Sequence, residues 1–182
     1  MTEPHDPLGP LTTARDALLV DGSDSAFRKL VHDLFGFLYH HETIRAGHGA
    51  YVGLAGPAYS TLISILHLQR EGEVNIVSIS NHLHVTGAFV TRIVNQLSEK
   101  GYVSKTQAPG DKRRVSLEVT EAGRALLAEL APVQRQVNDV EFGRLTREDF
   151  ATLCRITAQL VEDAQEAVAL QKYLLKTAGQ TT

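Results

Sequence analysis

The sequence predicts a mainly α-helical chain with one small β-hairpin, and three observations carry that prediction. Apolar residues recur at helical spacing over long stretches, as in Phe27, Leu30, Val31, Leu34, Phe35 and Leu38. Strict alternation appears at one place, where Val115, Leu117 and Val119 are separated by Ser116 and Glu118. Residues 74–119 present two short helical patterns joined by a turn, then a basic loop between two strand-like runs.

The elements follow in order. Residues 1 to about 10 hold three prolines and little to bury, the composition of a loose arm. Leu11 to Val20 fits a short helical turn. From Ser25 the apolar spacing predicts an amphipathic helix to about Arg45, and Gly47, Gly49 and Gly53 mark a flexible connection. Pro57 suits the first position of the next helix, whose inner face is Tyr59, Leu62, Ile63 and Leu66. Ile76, Ile79 and Leu83 lie about one turn apart and predict a short third helix. Thr86 then caps a fourth, with Val90, Ile93 and Leu97 as its buried stripe and Gly101 closing it. Tyr102 to Thr106 pairs with the alternating strand across a tip containing Pro109, Gly110, Asp111, Lys112, Arg113 and Arg114.

Beyond the hairpin, Thr120 opens a helix to about Phe142, and Pro132 predicts a bend between Ala128 and Pro132 by removing a donor. Thr146 with Asp149 resembles a capping box. It starts a last helix carrying Phe150, Leu153, Ile156, Leu160, Val161 and Ala164 and continuing towards Leu174. A helix-turn-helix followed by a basic hairpin is a winged helix-turn-helix, a geometry that reads DNA. The chain accordingly divides into an arm (1–22), an N-terminal dimerisation helix and connection (23–56), the winged lobe (57–120) and C-terminal dimerisation helices with a tail (121–182).

Charge placement agrees with that reading. The whole chain has a formal net charge of -3. Between Arg92 and Arg114, six basic residues (Arg92, Lys100, Lys105, Lys112, Arg113, Arg114) face only Glu99 and Asp111. A basic strip on an acidic body is the footprint of a protein that meets phosphates with one surface.

Several classes are disfavoured. No apolar run approaches the roughly 18 residues of a membrane span, and no segment reads as a secretion leader. One cysteine excludes an internal disulfide framework and fits a reducing cytoplasm, the expected location. No convergent acid, base and nucleophile suggests an enzyme, and no cofactor motif appears. His40, His41, Glu42 and His48 raise a metal sensor as an alternative, but adjacent His40 and His41 project about 100° apart on a helix, so no metal site is expected. Cys154 reads as a partly buried packing residue, a redox switch being the alternative.

The outer helices have apolar faces too extensive for the winged lobe to cover. Mutual burial in a two-fold homodimer solves this and places two readers about one DNA turn apart, matched to a palindromic operator. The competing arrangement packs those helices back on their own chain.

Three local patterns resemble the MarR (multiple-antibiotic-resistance regulator) family over nearly the whole chain. They are Val85-Thr86 followed by Val90-Thr91-Arg92 and Leu97, then Asp111-Lys112-Arg113, then Val119-Thr120-Glu121-Ala122-Gly123. The recognition helix is less polar than the family pattern at Gly87, Ala88 and Phe89. The resemblance implies a homodimeric winged-helix transcription regulator, most often a repressor released by a small molecule.

The start of the fourth helix enters the major groove, so Thr86, Gly87, Ala88, Phe89, Thr91 and Arg92 are the candidate DNA contacts. Arg92 suits phosphate or guanine, and Ala88 a thymine methyl. Phe89 either meets thymine methyls or packs back onto the helix. In the wing, Arg113 fits the narrow minor groove of A/T-rich DNA, while Lys112 and Arg114 supply phosphate contacts. By resemblance, Asp111 braces Arg113. Also by resemblance, the effector lies between the dimer helices and the DNA-binding lobe. That crevice draws on His40, His41, Arg45, His48, Tyr51 and Tyr59, with His41, Arg45, Tyr51 and Tyr59 as the candidate effector-binding set. Arg45 and the tyrosines suit an aromatic acid or its thioester. The remaining alternative is a winged helix that binds protein, which has no need of a phosphate-facing strip.

Overall fold

The structure is a computed structural model describing residues 9–108 and 111–179, without the side chains of residues 108 and 111–114. The chain divides into two units, residues 1–134 and 135–182.

In the first unit, a single 3-10 turn (Asp16–Leu18) stands where a short helical turn was expected. The chain beside it is fastened to the start of α1 (Ser25–Tyr51). Asp24, fully buried, accepts hydrogen bonds from the backbone N–H and the hydroxyl of Thr12, both at 2.6 Å. It also accepts from Arg28 Nε at 2.8 Å, and Arg28 Nη2 donates to the Pro10 carbonyl at 2.7 Å. The Arg28 bond first, and the Thr12 bonds after it, hold the Asp24 carboxyl well below the usual carboxylate range. A depressed folded-state value means that the clasp is at full strength above the unfolded value near 4 and weakens as pH falls below it. Asp24→Ala should therefore expose residues 10–24 to limited proteolysis at neutral pH with the remaining core intact. Cleavage no faster than in the parent chain would contradict the clasp.

α1 continues to Tyr51, so Gly47 and Gly49 lie inside a helix and not in the flexible connection expected of them. Gly49 has a steric reason to be there. A Cβ on it would meet the Leu54 carbonyl oxygen at 2.8 Å and Tyr59 Cβ at 3.2 Å, so its bareness lets the chain fold back. Only Gly53, at φ +68°, uses glycine's conformational freedom in the short connection.

α2 (Gly56–Leu68) starts one residue before Pro57 and is apolar on nearly every side, which suits a helix enclosed by the rest of its unit. Tyr59, Leu62 and Ile65 are buried, and Ile63 and Leu66 pack against that core. α3 (Ile76–Leu83) is opened by Asn75, whose Oδ1 accepts from Val77 N and Ser78 N at 2.9 and 3.0 Å while Ser78 Oγ accepts from Asn75 N. His84 ends it in the left-handed region at φ 53°. The turn is then fixed twice, by Val85 N donating to Ser80 O and by Ser80 Oγ donating to Val85 O.

α4 (Gly87–Glu99) begins on Thr86, whose hydroxyl accepts from Phe89 N, and buries Val90, Ile93, Val94 and Leu97. Gly101, at φ +76°, turns the chain out of it. β1 (Val103–Ala108) and β2 (Asp111–Val119) pair antiparallel, with Val103 opposite Val119 and Lys105 opposite Leu117. The register slips beyond Gln107, so that Ala108 pairs with Asp111. Asp111 to Arg114 thus belong to β2 and not to the hairpin tip expected to hold them, because the slip admits extra residues on that strand. Leu117 N donates to Val74 O at 2.8 Å and Val119 N to Gln69 Oε1 at 3.1 Å, which ties the wing root to the ends of α2 and α3.

α5 (Glu121–Glu141) opens on Thr120, whose hydroxyl accepts from Gly123 N and donates to the Gly101 carbonyl. It runs helical through Pro132. In the second unit, α6 (Arg147–Ala178) starts with the expected capping box. Thr146 Oγ1 accepts from Asp149 N at 3.1 Å, and Asp149 Oδ2 accepts from Thr146 N at 3.0 Å. The Thr146 hydroxyl, which donates to Asp149 Oδ2 at 2.6 Å, and after it the Thr146 N–H hold the Asp149 carboxyl below its ordinary pKa. Cys154 on α6 is exposed, not partly buried. Among the described residues no single helix is long and apolar enough to cross a membrane.

Candidate nucleic-acid interface

The local sequence directs α4 outward at its N-terminal end. Its apolar stripe of Val90, Ile93, Val94 and Leu97 is pinned in the core, which leaves Thr86, Ala88, Thr91 and Arg92 exposed on the other side. Gly87 sits between them, and a Cβ there would meet only Ile76 Cγ2 at an ordinary 3.8 Å. Its missing side chain therefore serves no need of the fold. Thr91 Oγ1 donates back to the Gly87 carbonyl at 2.8 Å, which leaves its oxygen lone pairs outward.

Phe89 is half-buried against the core, so of the two readings open in the sequence its position favours packing back. Arg92 lies over its ring, with Cζ 5.2 Å from the centroid, within cation–π range. The wing root is coupled to the same helix, since Lys105 Nζ on β1 donates to Asn95 Oδ1 on α4. Of the wing residues, Asp111, Lys112, Arg113 and Arg114 have their backbone in β2, while their side chains lie outside the described residues.

The candidate effector residues do not converge. A cavity of about 210 Å³ lies among α1, α2, the α3–α4 turn and α4, lined by Glu42, Arg45, Pro57, Ser60, Thr61, Leu83, Val85 and Phe89. Arg45 is the one member of the expected set that lines it. His41 stacks on Phe37 with centroids 5.7 Å apart, and Tyr51 is exposed at the end of α1. Tyr59 is buried, its ring edge-on to His48 and its hydroxyl accepting from Gln134 Nε2 at 3.1 Å. Burial pushes the Tyr59 phenol up, partly opposed by the Arg45 charge. Ser60 and Thr61 were missed because hydroxyls on an apolar helix carry no spacing signal.

Among the described residues, no group of three or more His, Cys, Asp or Glu is placed to hold a metal ion. His82 packs its ring 5.7 Å from that of His67, and burial first, then the charge of His67, lowers its pKa.

Comparison with known proteins places this geometry. Residues 59–115 match the model of the MarR family. The transcriptional repressor NicR of Pseudomonas putida is 25% identical over 105 residues, covering 58% of this chain and 66% of NicR, just under two thirds of that relative. The repressor MdtR of Bacillus subtilis is 23% identical, covering 60% of this chain and 71% of MdtR. Among solved structures, a crystal structure of MarR aligns with a TM-score of 0.56 at 23% identity, covering 75% of this chain and 98% of that one. BpsR of Bordetella bronchiseptica, whose DNA binding is regulated by 6-hydroxynicotinic acid, aligns at 0.60 and 20% identity, covering 73% and 98%. A Peptoclostridium difficile MarR protein aligns at 0.62 and 20% identity, covering 82% and 94%. At these identities the structures speak for the fold, and the matched segment holds the helix-turn-helix and most of the wing. Residues 59–115 are thus similar to the MarR family, and the fold is that of the winged helix-turn-helix structures it resembles.

Proposed function

We propose that this protein is a homodimeric, sequence-specific DNA-binding transcription regulator, a repressor released by a small molecule. The observation that carries the reading is α4. It is anchored in the core by one face and presents Thr86, Ala88, Thr91 and Arg92 on the other, with the root of a basic hairpin bonded to it. That arrangement offers short side chains and a guanidinium to a major groove while the wing reaches backbone and minor groove.

The dimer is supported by apolar residues that each unit leaves uncovered. On α1 these include Leu30, Leu34, Phe35 and Leu38, and on α6 Phe150, Leu153, Ile156 and Leu160. Contiguous exposed apolar surface of this kind marks an interface, and a second copy supplies the same faces.

Effector release is supported by the cavity at Arg45, which abuts the recognition helix. Its volume of about 210 Å³ falls below the roughly 300–1,000 Å³ of sites for drug-sized ligands, so a single-ring acid fits better than a thioester of one. The ligand of BpsR makes 6-hydroxynicotinic acid a natural first trial.

Affinity for duplex DNA measured against salt tests the reading. A dimer presenting Arg92, Lys112, Arg113 and Arg114 twice should give a log–log slope of about −4 or steeper. A slope near zero, or no binding at low salt, would favour a winged helix that binds protein.

A further inference from the structure

Resting on the regulator reading above, we propose that Lys105 and Asn95 form a phosphate grip at the corner between α4 and the wing, holding one backbone phosphodiester per protomer. Ala88, Thr91, Arg92 and Asn95 follow the helical spacing i, i+3, i+4, i+7 and are all exposed. Asn95 therefore continues the outward face of α4 by one turn beyond Thr91. In a recognition helix the first turn meets base edges, and a residue two turns on stands where the helix leaves the groove. Glu99 follows one turn beyond Asn95 and is also exposed. A carboxylate repels phosphate, so a DNA backbone crossing α4 does so before Glu99, at Asn95.

Lys105 reaches the same corner from β1. It stands opposite Leu117 in the hairpin, so the two side chains leave the same face, and Leu117 is buried while Lys105 is exposed beside α4. Lys105 Nζ donates to Asn95 Oδ1. That bond turns the amide acceptor towards the ammonium and leaves the Nδ2 donors outward. A donor face matches a phosphate oxygen, whereas adenine asks for an acceptor beside a donor. The bond also fastens the ammonium without neutralising it. Arg28, Lys29 and Arg45 each face a carboxylate, those of Asp24, Asp33 and Glu42. Lys105 is held instead by a neutral amide, and among the described residues it is in no ion pair. Glu118 on β2 stands opposite Ser104, on the other face of the hairpin. A fixed cation with donors to spare, beside an amide that turns its own donors outward, is the chemistry of a phosphate site.

The test uses the full chain with two probes, the operator obtained by selection and a mixed-sequence duplex, each titrated over a range of salt. Lys105→Gln should weaken binding to both duplexes by the same factor, about fivefold or more at about 0.1 M salt, and make the log–log slope shallower by about one unit per protomer. Lys105→Arg should restore the slope. Asn95→Ala removes no charge, so it should leave the slope unchanged while weakening both duplexes about two- to fivefold. In the Lys105→Gln background the same alanine should cost less than about 1.5-fold, because the two residues act on one phosphate. Both side chains are exposed, so the variants should melt with the parent chain. A slope unchanged by Lys105→Gln, additive losses in the double variant, or a loss confined to one base pair of the operator overturns the grip. Absence of duplex binding by the parent chain at low salt overturns the regulator reading itself, and the grip with it.

Discussion

Alanine at Arg113 is expected to weaken binding to the selected operator by about 1–3 kcal/mol, or roughly 5- to 150-fold. Arg113 stands on β2, in the stretch between Asp111 and Val115 where the hairpin register slips. A charge carried on a narrow hairpin suits a minor groove, and the negative potential there is strongest where A/T-rich sequence narrows the groove. The loss should therefore be largest on operators with A/T-rich flanks and should flatten the preference for those flanks. Lys112→Ala provides the contrast. With the phosphate role proposed for it, its removal should weaken binding to all duplexes alike and reduce the salt slope by about one unit per protomer. Titration of both variants against operators with A/T and G/C flanks separates the roles. Unchanged affinity and unchanged flank preference for Arg113→Ala would remove the wing from recognition.

The largest expected effect on stability comes from one methyl group. At Gly123 an added Cβ would sit 2.4 Å from the Tyr102 carbonyl oxygen and 2.8 Å from Val119 Cγ1. Neither neighbour yields easily. The Tyr102 carbonyl accepts from Thr120 N at 3.0 Å, Val119 is buried, and Gly101 before Tyr102 already stands at positive φ. Three elements meet here, the end of α4, the end of β2 and the start of α5, all stitched by Thr120. Gly123→Ala should destabilise the chain by about 2–3 kcal/mol through overpacking, outweighing the gain in helix propensity of about 1 kcal/mol. Its denaturation midpoint should fall at an unchanged slope. Gly87→Ala in α4 makes a matched control. The Cβ there meets only a methyl at 3.8 Å, so stability should hold or rise while DNA affinity changes. Equal stability of Gly123→Ala and the parent chain would show that the junction can relax.

How much of this was legible in the sequence depends on whether an interaction is local. Thr86, Gly101, Thr120 and the pair Thr146–Asp149 are caps, decided within three or four residues, and each appears where its chemistry put it. The buried stripe of α4 was readable because one face of a helix repeats. The glycines at 47 and 49 misled because glycine signals freedom in a sequence, whereas Gly49 is required by a carbonyl that arrives from Leu54. The tip of the wing reads as longer in the sequence than it is in the fold, because a register slip has no residue signature of its own.

The site was harder to read for the same reason. Arg45 stood out by its charge, but the serine and threonine that line the cavity with it lie one helix away. Tyr59 had the chemistry of a ligand contact and is instead occupied with His48 and Gln134, a pairing between residues 75 positions apart. The clasp at Asp24 was equally hidden, since neither Thr12 nor Arg28 is distinctive until the chain brings them together.

In the proposed regulator, two copies of α4 read DNA together. Selection from a random duplex pool, followed by measurement of the protein-to-duplex ratio on the winning sequence, tests it most directly. The expected result is an enriched palindrome with half-sites about one helical turn apart, bound by two chains. An enriched site without two-fold symmetry bound by one chain, or no enrichment at all, would contradict it.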